Sequence, residues 1–235
     1  MPLNLPIKEK IKTGIPGLDE IIDGGIPKNA LVLLTGTAGS GKTILSSQFL
    51  YSGLKDYSQP AVYVSFEEPL ESIKNNCLSF GWDFQQFEDK DKAVFVRYDP
   101  FHVEDIYELI ETNVKKLNAE RVVIDSISAL GLYVRDAPEI RRMIFNISFL
   151  LRKLNCTTIL ISEILPNQEA LSRFGVEEFV TDGVIVLGYN RVGSQYGRSI
   201  TIWKMRNSIH SNKIHPYRIT DQGITVYPKE EATLK

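Results

Sequence analysis

The chain has 235 residues, 43% of them hydrophobic, and a formal net charge of −2. That length fits one large α/β domain or two small ones, and the apolar fraction supplies a substantial core. The near-neutral total excludes a basic nucleic-acid coat, although residues 189–235 carry 8 Lys+Arg against 3 Asp+Glu, a basic end that either meets phosphate or balances the remaining surface.

Short apolar runs alternate with longer amphipathic ones along the chain. LVLLT (31–35) predicts a strand, followed by a helix over about 42–55. AVYVSF (61–66) precedes a helix over 69–80, and AVFVR (93–97) one over 104–117. RVVID (121–125) precedes a helix over 137–154, where Ile140, Ile144, Ile147 and Leu151 make an apolar stripe. Pro69 and Pro138 suit first helical turns. TTILIS (157–162) and GVIVLG (183–188) complete the buried strands. Strands alternating with helices imply a parallel sheet covered on both faces. Beyond residue 189 the runs 198–206, 214–219 and 223–227 are separated by turn signals such as DQG and predict antiparallel strands at the sheet edge. No repeat or linker divides the chain. The expected organisation is an N-terminal arm (1–11), one domain (12–229) and a C-terminal tail (230–235).

Cys77 and Cys156 are the only cysteines and share no metal or redox spacing, which points to free thiols in a reducing compartment. The opening MPLNLPIKEK lacks the apolar region of a signal peptide. No run of about 18 apolar residues could span a membrane. A cytoplasmic protein without a membrane partner is the expectation.

GTAGSGKT (36–43) fits the pattern G-x-x-x-x-G-K-[ST], entered by an apolar strand and left by a helical run. Gly36, Gly39 and Gly41 let the backbone approach phosphates closely. Gly36, Thr37, Ala38, Gly39, Ser40, Gly41, Lys42, Thr43 and Ile44 are the expected ATP contacts. Consecutive N–H groups at a helix start favour an anion. Lys42 brings a charge to the outer phosphates, and Thr43 a hydroxyl to Mg²⁺.

An acid near that Mg²⁺ is the next requirement, and Asp125 ends a buried strand in RVVIDS. Read alone, it is equally a strand-end cap. SFEEP (65–69) ends another strand with Glu67 and Glu68. Carboxylates at the C-terminal ends of parallel strands sit where ligands bind. Like charges side by side raise a pKa, so one of the two can accept a proton from water. Successive residues point to different sides, which favours Glu67. The other reading is a solvated helix start before Pro69.

KTGIPGLDEIIDGGIP (12–27), GTAGSGKT, SFEEP, VVIDSIS (122–128), EEFVTDGVIVL (177–187) and WKMRNS (203–208) together resemble the RecA/RadA/KaiC ATPase superfamily, above all its single-domain archaeal KaiC-like proteins, the RadA paralogues. The resemblance runs from about residue 11 to 227. It implies a RecA-type P-loop core whose cradle strand and Asp125 strand are separated by another strand. It also implies that Glu67 and Glu68 are the paired catalytic glutamates, that Ser162 and Glu163 sense the γ-phosphate, and that a homo-oligomeric ring, or a monomer–oligomer equilibrium, offers Lys204 and Arg206 to a neighbour's nucleotide. If 198–206 is a strand, Ile200, Ile202, Lys204 and Arg206 share one face. The other reading of that segment is an edge strand with solubilising charges. About ten residues precede the core, without the helical domain of a recombinase, and one ATPase domain is present where KaiC has two.

In the superfamily, DNA lies against loops after the fourth and fifth core strands. Here these contain Tyr133, Arg135, Arg173 and Phe174, and the hairpin NRVGSQYGR (190–198) adds Arg191 and Arg198. Arginine beside an aromatic ring suits single-stranded DNA, through phosphate attraction and stacking. Two functions stay open: a slow, Mg²⁺-dependent ATPase that interacts with DNA as an accessory of recombination or repair, alongside a recombinase or other protein, and an ATP-gated signalling or assembly module with protein partners and no DNA role. Nucleotide binding without turnover follows if both glutamates point away from the γ-phosphate.

Overall fold

A computed structural model describes residues 9–98, 105–132, 134, 136–165 and 170–232. The described part begins with β1 (Lys10–Ile11), the one-turn helix α1 (Leu18–Ile21) and β2 (Ile26–Pro27). Then come β3 (Leu31–Gly36), α2 (Lys42–Asp56), β4 (Ala61–Ser65), α3 (Leu70–Leu78), the short α4 (Gln85–Glu88), β5 (Ala93–Arg97), α5 (Asp105–Leu117) and β6 (Arg121–Asp125). A 3-10 segment, Ile127–Leu132, leads to α6 (Ala137–Lys153), β7 (Thr157–Glu163), the short α7 (Glu177–Val180), β8 (Gly183–Val192), β9 (Gln195–Met205), β10 (Ile214–Thr220) and β11 (Gly223–Val226).

Nine of these strands form one sheet in the order β11-β10-β9-β8-β3-β7-β6-β4-β5. The six from β8 to β5 are parallel, and β9, β10 and β11 extend the sheet antiparallel. β7 separates β3 from β6, so the phosphate-loop strand and the Asp125 strand stand one strand apart. Alternation along each strand divides the core in two. Val32, Leu34, Tyr63, Val123, Ile159 and Ile161 pack with Leu45, Phe49 and Leu54 of α2. Leu31, Leu33, Val62, Val64, Val122 and Leu160 pack with Ile106, Ile110 and Val114 of α5 and with the predicted stripe of α6.

α2 is buried continuously from Leu45 to Leu54 because the sheet lies on one side and β11 crosses near it. Gln48 fastens that crossing: its Oε1 accepts from the Ile224 N–H (2.7 Å) and its Nε2 donates to the Ile224 carbonyl (3.2 Å). Arg121, fully buried at the start of β6, locks the far end of α2. It donates to the carbonyls of Phe49 (2.6 Å) and Lys12 (2.7 Å) and to Gln59 Oε1 (2.7 Å), and lies 4.4 Å over the Phe49 ring. Burial pulls its pKa down to about 10.

Several local features differ from the sequence expectation. Pro69 is the N-cap of α3, with ψ at 136°, and stands just outside the first turn. β8 and β9 run on into a long hairpin through Val192 and Gln195. Lys10–Ile11, inside the expected arm, pairs with Ile26–Pro27, and the Ala232 N–H donates to the Ile214 carbonyl. A register shift between Val184 and Ile185 bulges β9 at Trp203, so Lys204 pairs with Val184 while Ile202 pairs with Ile185. Lys204 therefore lies on the face opposite Ile200 and Ile202, because a one-residue bulge inverts the alternation.

Candidate functional site

β3 delivers the chain to the loop and α2 takes it away. Gly39 and Gly41 turn with φ at +77° and +90°, and Gly41 is the N-cap of α2. At Gly36 a Cβ would stand 2.4 Å from the Leu187 carbonyl oxygen, so glycine is required there by close approach. Lys42 Nζ donates to the carbonyls of Gly36 (2.9 Å) and Thr37 (3.0 Å). Burial lowers its pKa, against the pull of Glu163 and Asp125. Ser40 Oγ donates to the Thr37 carbonyl (2.8 Å), and the Tyr217 hydroxyl donates to the Ser40 carbonyl. A cavity of about 400 Å³ opens above this loop.

Thr43 Oγ1 donates to Asp125 Oδ2 at 2.9 Å, and the Tyr63 hydroxyl reaches the same oxygen at 2.7 Å. Burial raises the Asp125 pKa, while the Tyr63 and Thr43 hydrogen bonds and the Lys42 charge oppose the rise. A hydroxyl and a desolvated carboxylate meeting at the cavity wall suit a hard cation such as Mg²⁺. Among the described residues no three His, Cys, Asp or Glu side chains gather into a metal cage. The ion would therefore rest on Thr43, on water held by Asp125 and on phosphate oxygens, the usual preference of Mg²⁺.

Glu67 and Glu68 both border the cavity, with different surroundings. Glu68 Oε1 accepts from Ser72 (2.7 Å) and Asn76 (3.4 Å), which ties it to α3. Burial, then Glu163 and Asp125, raise the Glu67 pKa, and Arg173 pulls it back. Glu67 is thus the acid whose pKa is raised, and Glu68 the one tied to the following helix. Glu163 also lines the cavity. Ser162, its neighbour on the strand, points the other way, fully buried, and donates to Glu177 Oε1 at 2.9 Å. It is not among the residues that line the cavity.

The remaining candidates separate by location. Arg198 borders the phosphate cavity, lies 4.5 Å over the Tyr189 ring, reaches the Gly39 carbonyl at 3.4 Å and has a buried Nε without a partner. Phe174 packs onto the core near Gly131, where a Cβ would be 2.7 Å from its ring. The Arg173 N–H donates to Ser162 Oγ at 3.0 Å. Arg191 is exposed on the hairpin and donates to the Gly193 carbonyl. Tyr133 and Arg135 lie outside the described residues. Of the described DNA candidates, Arg198 lines the cavity, Phe174 packs onto the core and Arg191 lies exposed on the hairpin.

Lys204 Nζ donates to the carbonyls of Glu178 (2.6 Å) and Thr181 (2.7 Å) at the end of α7, and burial lowers its pKa. The Arg206 N–H donates to the Asp182 carbonyl, and the Asp182 N–H to the Leu31 carbonyl. Arg206 therefore stands level with the start of β3, five residues or about 17 Å from the loop at its other end. Neither residue lines the cavity of its own chain.

Tyr63, Tyr217 and Ile219 at this site went unpredicted. Tyr63 shares a face with Ser65 two residues on, which is a signal of sorts; Tyr217 and Ile219 come from the antiparallel extension and carry none. A second cavity of about 290 Å³ shares Thr43, Ile44 and Glu68 with the first and is walled by Ile73, Phe80 and Trp82.

Residues 11–231 match the family described as "ATPase: KaiC". A UPF0273 protein of Methanocaldococcus jannaschii is 36% identical over 244 residues, covering 97% of this chain and 100% of the relative. The circadian clock oscillator protein KaiC of a Picosynechococcus species is 39% identical over 230 residues, covering 94% of this chain and 45% of the relative. Among solved structures, a KaiC-like protein of the hyperthermophilic archaeon Pyrococcus horikoshii superposes with a TM-score of 0.87 at 40% identity, covering 94% of this chain and 100% of that one.

Proposed function

The chain belongs to the KaiC family of ATPases, and on that premise we propose that it binds Mg²⁺–ATP and hydrolyses it slowly, as the subunit of a homo-oligomer that ATP assembles or reshapes. The observation that carries the reading is the convergence of Lys42, Thr43 and Asp125 on one cavity with Glu67 at its edge.

Loop N–H groups and Lys42 hold the β- and γ-phosphates, and the adjoining recess of Ile73, Phe80 and Trp82 offers apolar and aromatic surface to a base. When bound, Mg²⁺ neutralises charge between those phosphates. Glu67 accepts a proton from water as its oxygen attacks the γ-phosphorus. The bond to the bridging oxygen breaks, giving ADP and phosphate. Arg198, with an unpartnered Nε at the cavity, joins the phosphate-facing charges.

The distance of Arg206 from its own loop argues for contact in trans. Around it, Arg141, Arg142, Arg152, Phe145 and Phe179 border a cavity of about 570 Å³. Phe145, Phe149 and Phe179 are each more than half exposed. Apolar side chains ringed by arginines complement the acidic, triphosphate-bearing mouth of a second copy. Work on an assembly is favoured over work on DNA because Arg198 lines the phosphate cavity and Phe174 packs onto the core, which takes two of the DNA candidates off an open surface. Buried Cys77 and Cys156 remain thiols in the cytoplasm, where this activity would operate.

Turnover of Mg²⁺–ATP by the purified protein, with and without single-stranded DNA across a salt series, tests the reading. Lys42→Ala is expected to abolish hydrolysis and greatly weaken ATP binding. Equal turnover by variant and parent overturns the site. Stimulation by DNA that fades with salt favours the DNA-linked role over the assembly role.

A further inference from the structure

Gly39, Gly41, Lys42 and Thr43 line the phosphate cavity, and Ser40 in their midst does not. Ser40 is fully buried. Its Oγ and its N–H both meet the Thr37 carbonyl, at 2.8 and 3.3 Å, which fixes one side of the residue within the loop. Its own carbonyl has one partner among the described residues, the hydroxyl of Tyr217.

That hydroxyl arrives from β10. Tyr217 and Ile219 stand two residues apart on the strand and share the face turned to the loop. Tyr217 meets Ser40, and a Cβ on Gly41 would lie 2.9 Å from Ile219 Cδ1. The strand is in turn tied to the helix that the loop opens. Ile219 pairs with Ile224 of β11, and Gln48 of α2 holds the Ile224 N–H and carbonyl at 2.7 and 3.2 Å. Loop, α2, β11 and β10 thus form a closed ring of contacts, with the Tyr217 hydroxyl as the last link. Tyr217 is 2% exposed, and burial pushes its pKa up, so the hydroxyl keeps its proton and donates.

Peptide geometry carries this link to the front of the loop. The carbonyl of one residue and the N–H of the next share a plane and, in a trans peptide, point opposite ways. The Ser40 carbonyl points back to Tyr217, so the Gly41 N–H points away from it, and that N–H has no acceptor among the described residues. Glycine permits the reverse orientation as well. Gly41 has φ at +90°, and without a Cβ it takes negative φ as readily, so the plane can turn over. Turned over, it presents a carbonyl oxygen to an anion.

We propose that Tyr217 is a positioning residue of the phosphate site: its hydroxyl holds the Ser40–Gly41 peptide in the orientation that offers the Gly41 N–H to a bound phosphate. The presence of that phosphate rests on the Mg²⁺–ATP binding proposed above; the orientation of the peptide does not. Without the hydroxyl the buried Ser40 carbonyl is left unpaired, and rotation of the peptide relieves the penalty.

Tyr217→Phe keeps the ring and removes the donor. Two measurements on the full chain read the result: the Gly41 amide resonance in the unliganded protein, and the calorimetric affinity for inorganic pyrophosphate and for ADP. The resonance should move in Tyr217→Phe, and both ligands should bind about tenfold more weakly, as for one lost hydrogen bond to a charged group. p-Aminophenylalanine at position 217 restores an N–H donor and should return the resonance toward that of the parent, with most of the affinity. With Mg²⁺–ATP the KM of Tyr217→Phe should rise more than kcat falls, because the N–H serves ground and transition states alike. A folded Tyr217→Phe protein with the Gly41 resonance of the parent overturns the proposal, as does one that binds pyrophosphate as tightly as the parent. Equal weakness of the phenylalanine and p-aminophenylalanine variants would assign the effect to ring packing and overturn it too. In the parent itself, bound pyrophosphate should move the Gly41 resonance; a resonance left in place overturns the proposal without any variant. A parent that binds neither pyrophosphate nor nucleotide would defeat the Mg²⁺–ATP reading, while the unliganded Gly41 resonance and its recovery would still decide what Tyr217 holds.

Discussion

Glu67 and Glu68 are neighbours of identical chemistry in different surroundings. Ser72 and Asn76 hold the Glu68 carboxylate against α3. Glu67 is subject to desolvation and to Glu163 and Asp125, which lift its pKa above the ordinary 4.5. A base must be ionised to accept a proton, and a raised pKa delays ionisation to higher pH. Hydrolysis should accordingly climb with pH through a midpoint above 4.5 and flatten beyond it. Glu67→Gln is expected to erase that limb and lower kcat by about 10²–10⁴. A pH–rate profile of the variant retaining the limb would move the role elsewhere, and loss of the limb in Glu68→Gln would move it to that neighbour. The pairing of the two acids is visible in the sequence; which one is tethered depends on α3, whose residues supply the tether.

At the scale of elements, α2 carries Lys42 and Thr43, so its seating decides the geometry of the loop. Gln48 and Arg121 set that seating, and neither stands out in the sequence: one is a helix glutamine, the other an arginine before a strand. Gly53 is the complement of Arg121, since a Cβ there would lie 2.4 Å from both Cδ and Nε of the arginine. The arginine cannot swing aside, being held by three hydrogen bonds and two aromatic rings. Gly53→Ala should cost about 1–3 kcal/mol, the range of overpacked cores, read as a lower denaturation midpoint at unchanged m-value. A variant as stable as the parent would mean that the contact relaxes freely. The bulge at Trp203 belongs to this scale as well. Strict alternation placed Lys204 with Ile200 and Ile202, and one inserted residue moved it to the α7 side.

For the whole molecule, the sheet sets the length over which the parts must act. The phosphate loop lies at the C-terminal end of β3 and Arg206 beside its start, so one chain cannot bring them together. Arg206→Ala should slow hydrolysis by about 10³-fold or more while ATP affinity holds, in keeping with an arginine that stabilises charge in the transition state. Mixing that variant with Lys42→Ala, itself inactive, should restore part of the activity, because each intact cradle then meets an intact arginine on its neighbour. Absence of rescue in a mixture shown to co-assemble, or an Arg206→Ala protein that loses ATP affinity as a monomer, would refute the shared site.

By itself the sequence determined the α/β alternation, the phosphate loop and the acid at the end of β6, because these depend on local signals: strand and helix periods, glycines at fixed spacing and the chemistry of a lysine beside a threonine. The superfamily resemblance added the strand between β3 and β6, and the sheet order agrees with it. Only the tertiary structure decided where Arg198 and Phe174 sit, that Ser162 faces Glu177, and that Arg206 lies far from its own cradle. Those outcomes depend on which side of the sheet a residue emerges from and which strand lies beside it. Both are fixed by long-range pairing and by a single bulge, neither of which leaves a mark on neighbouring residues.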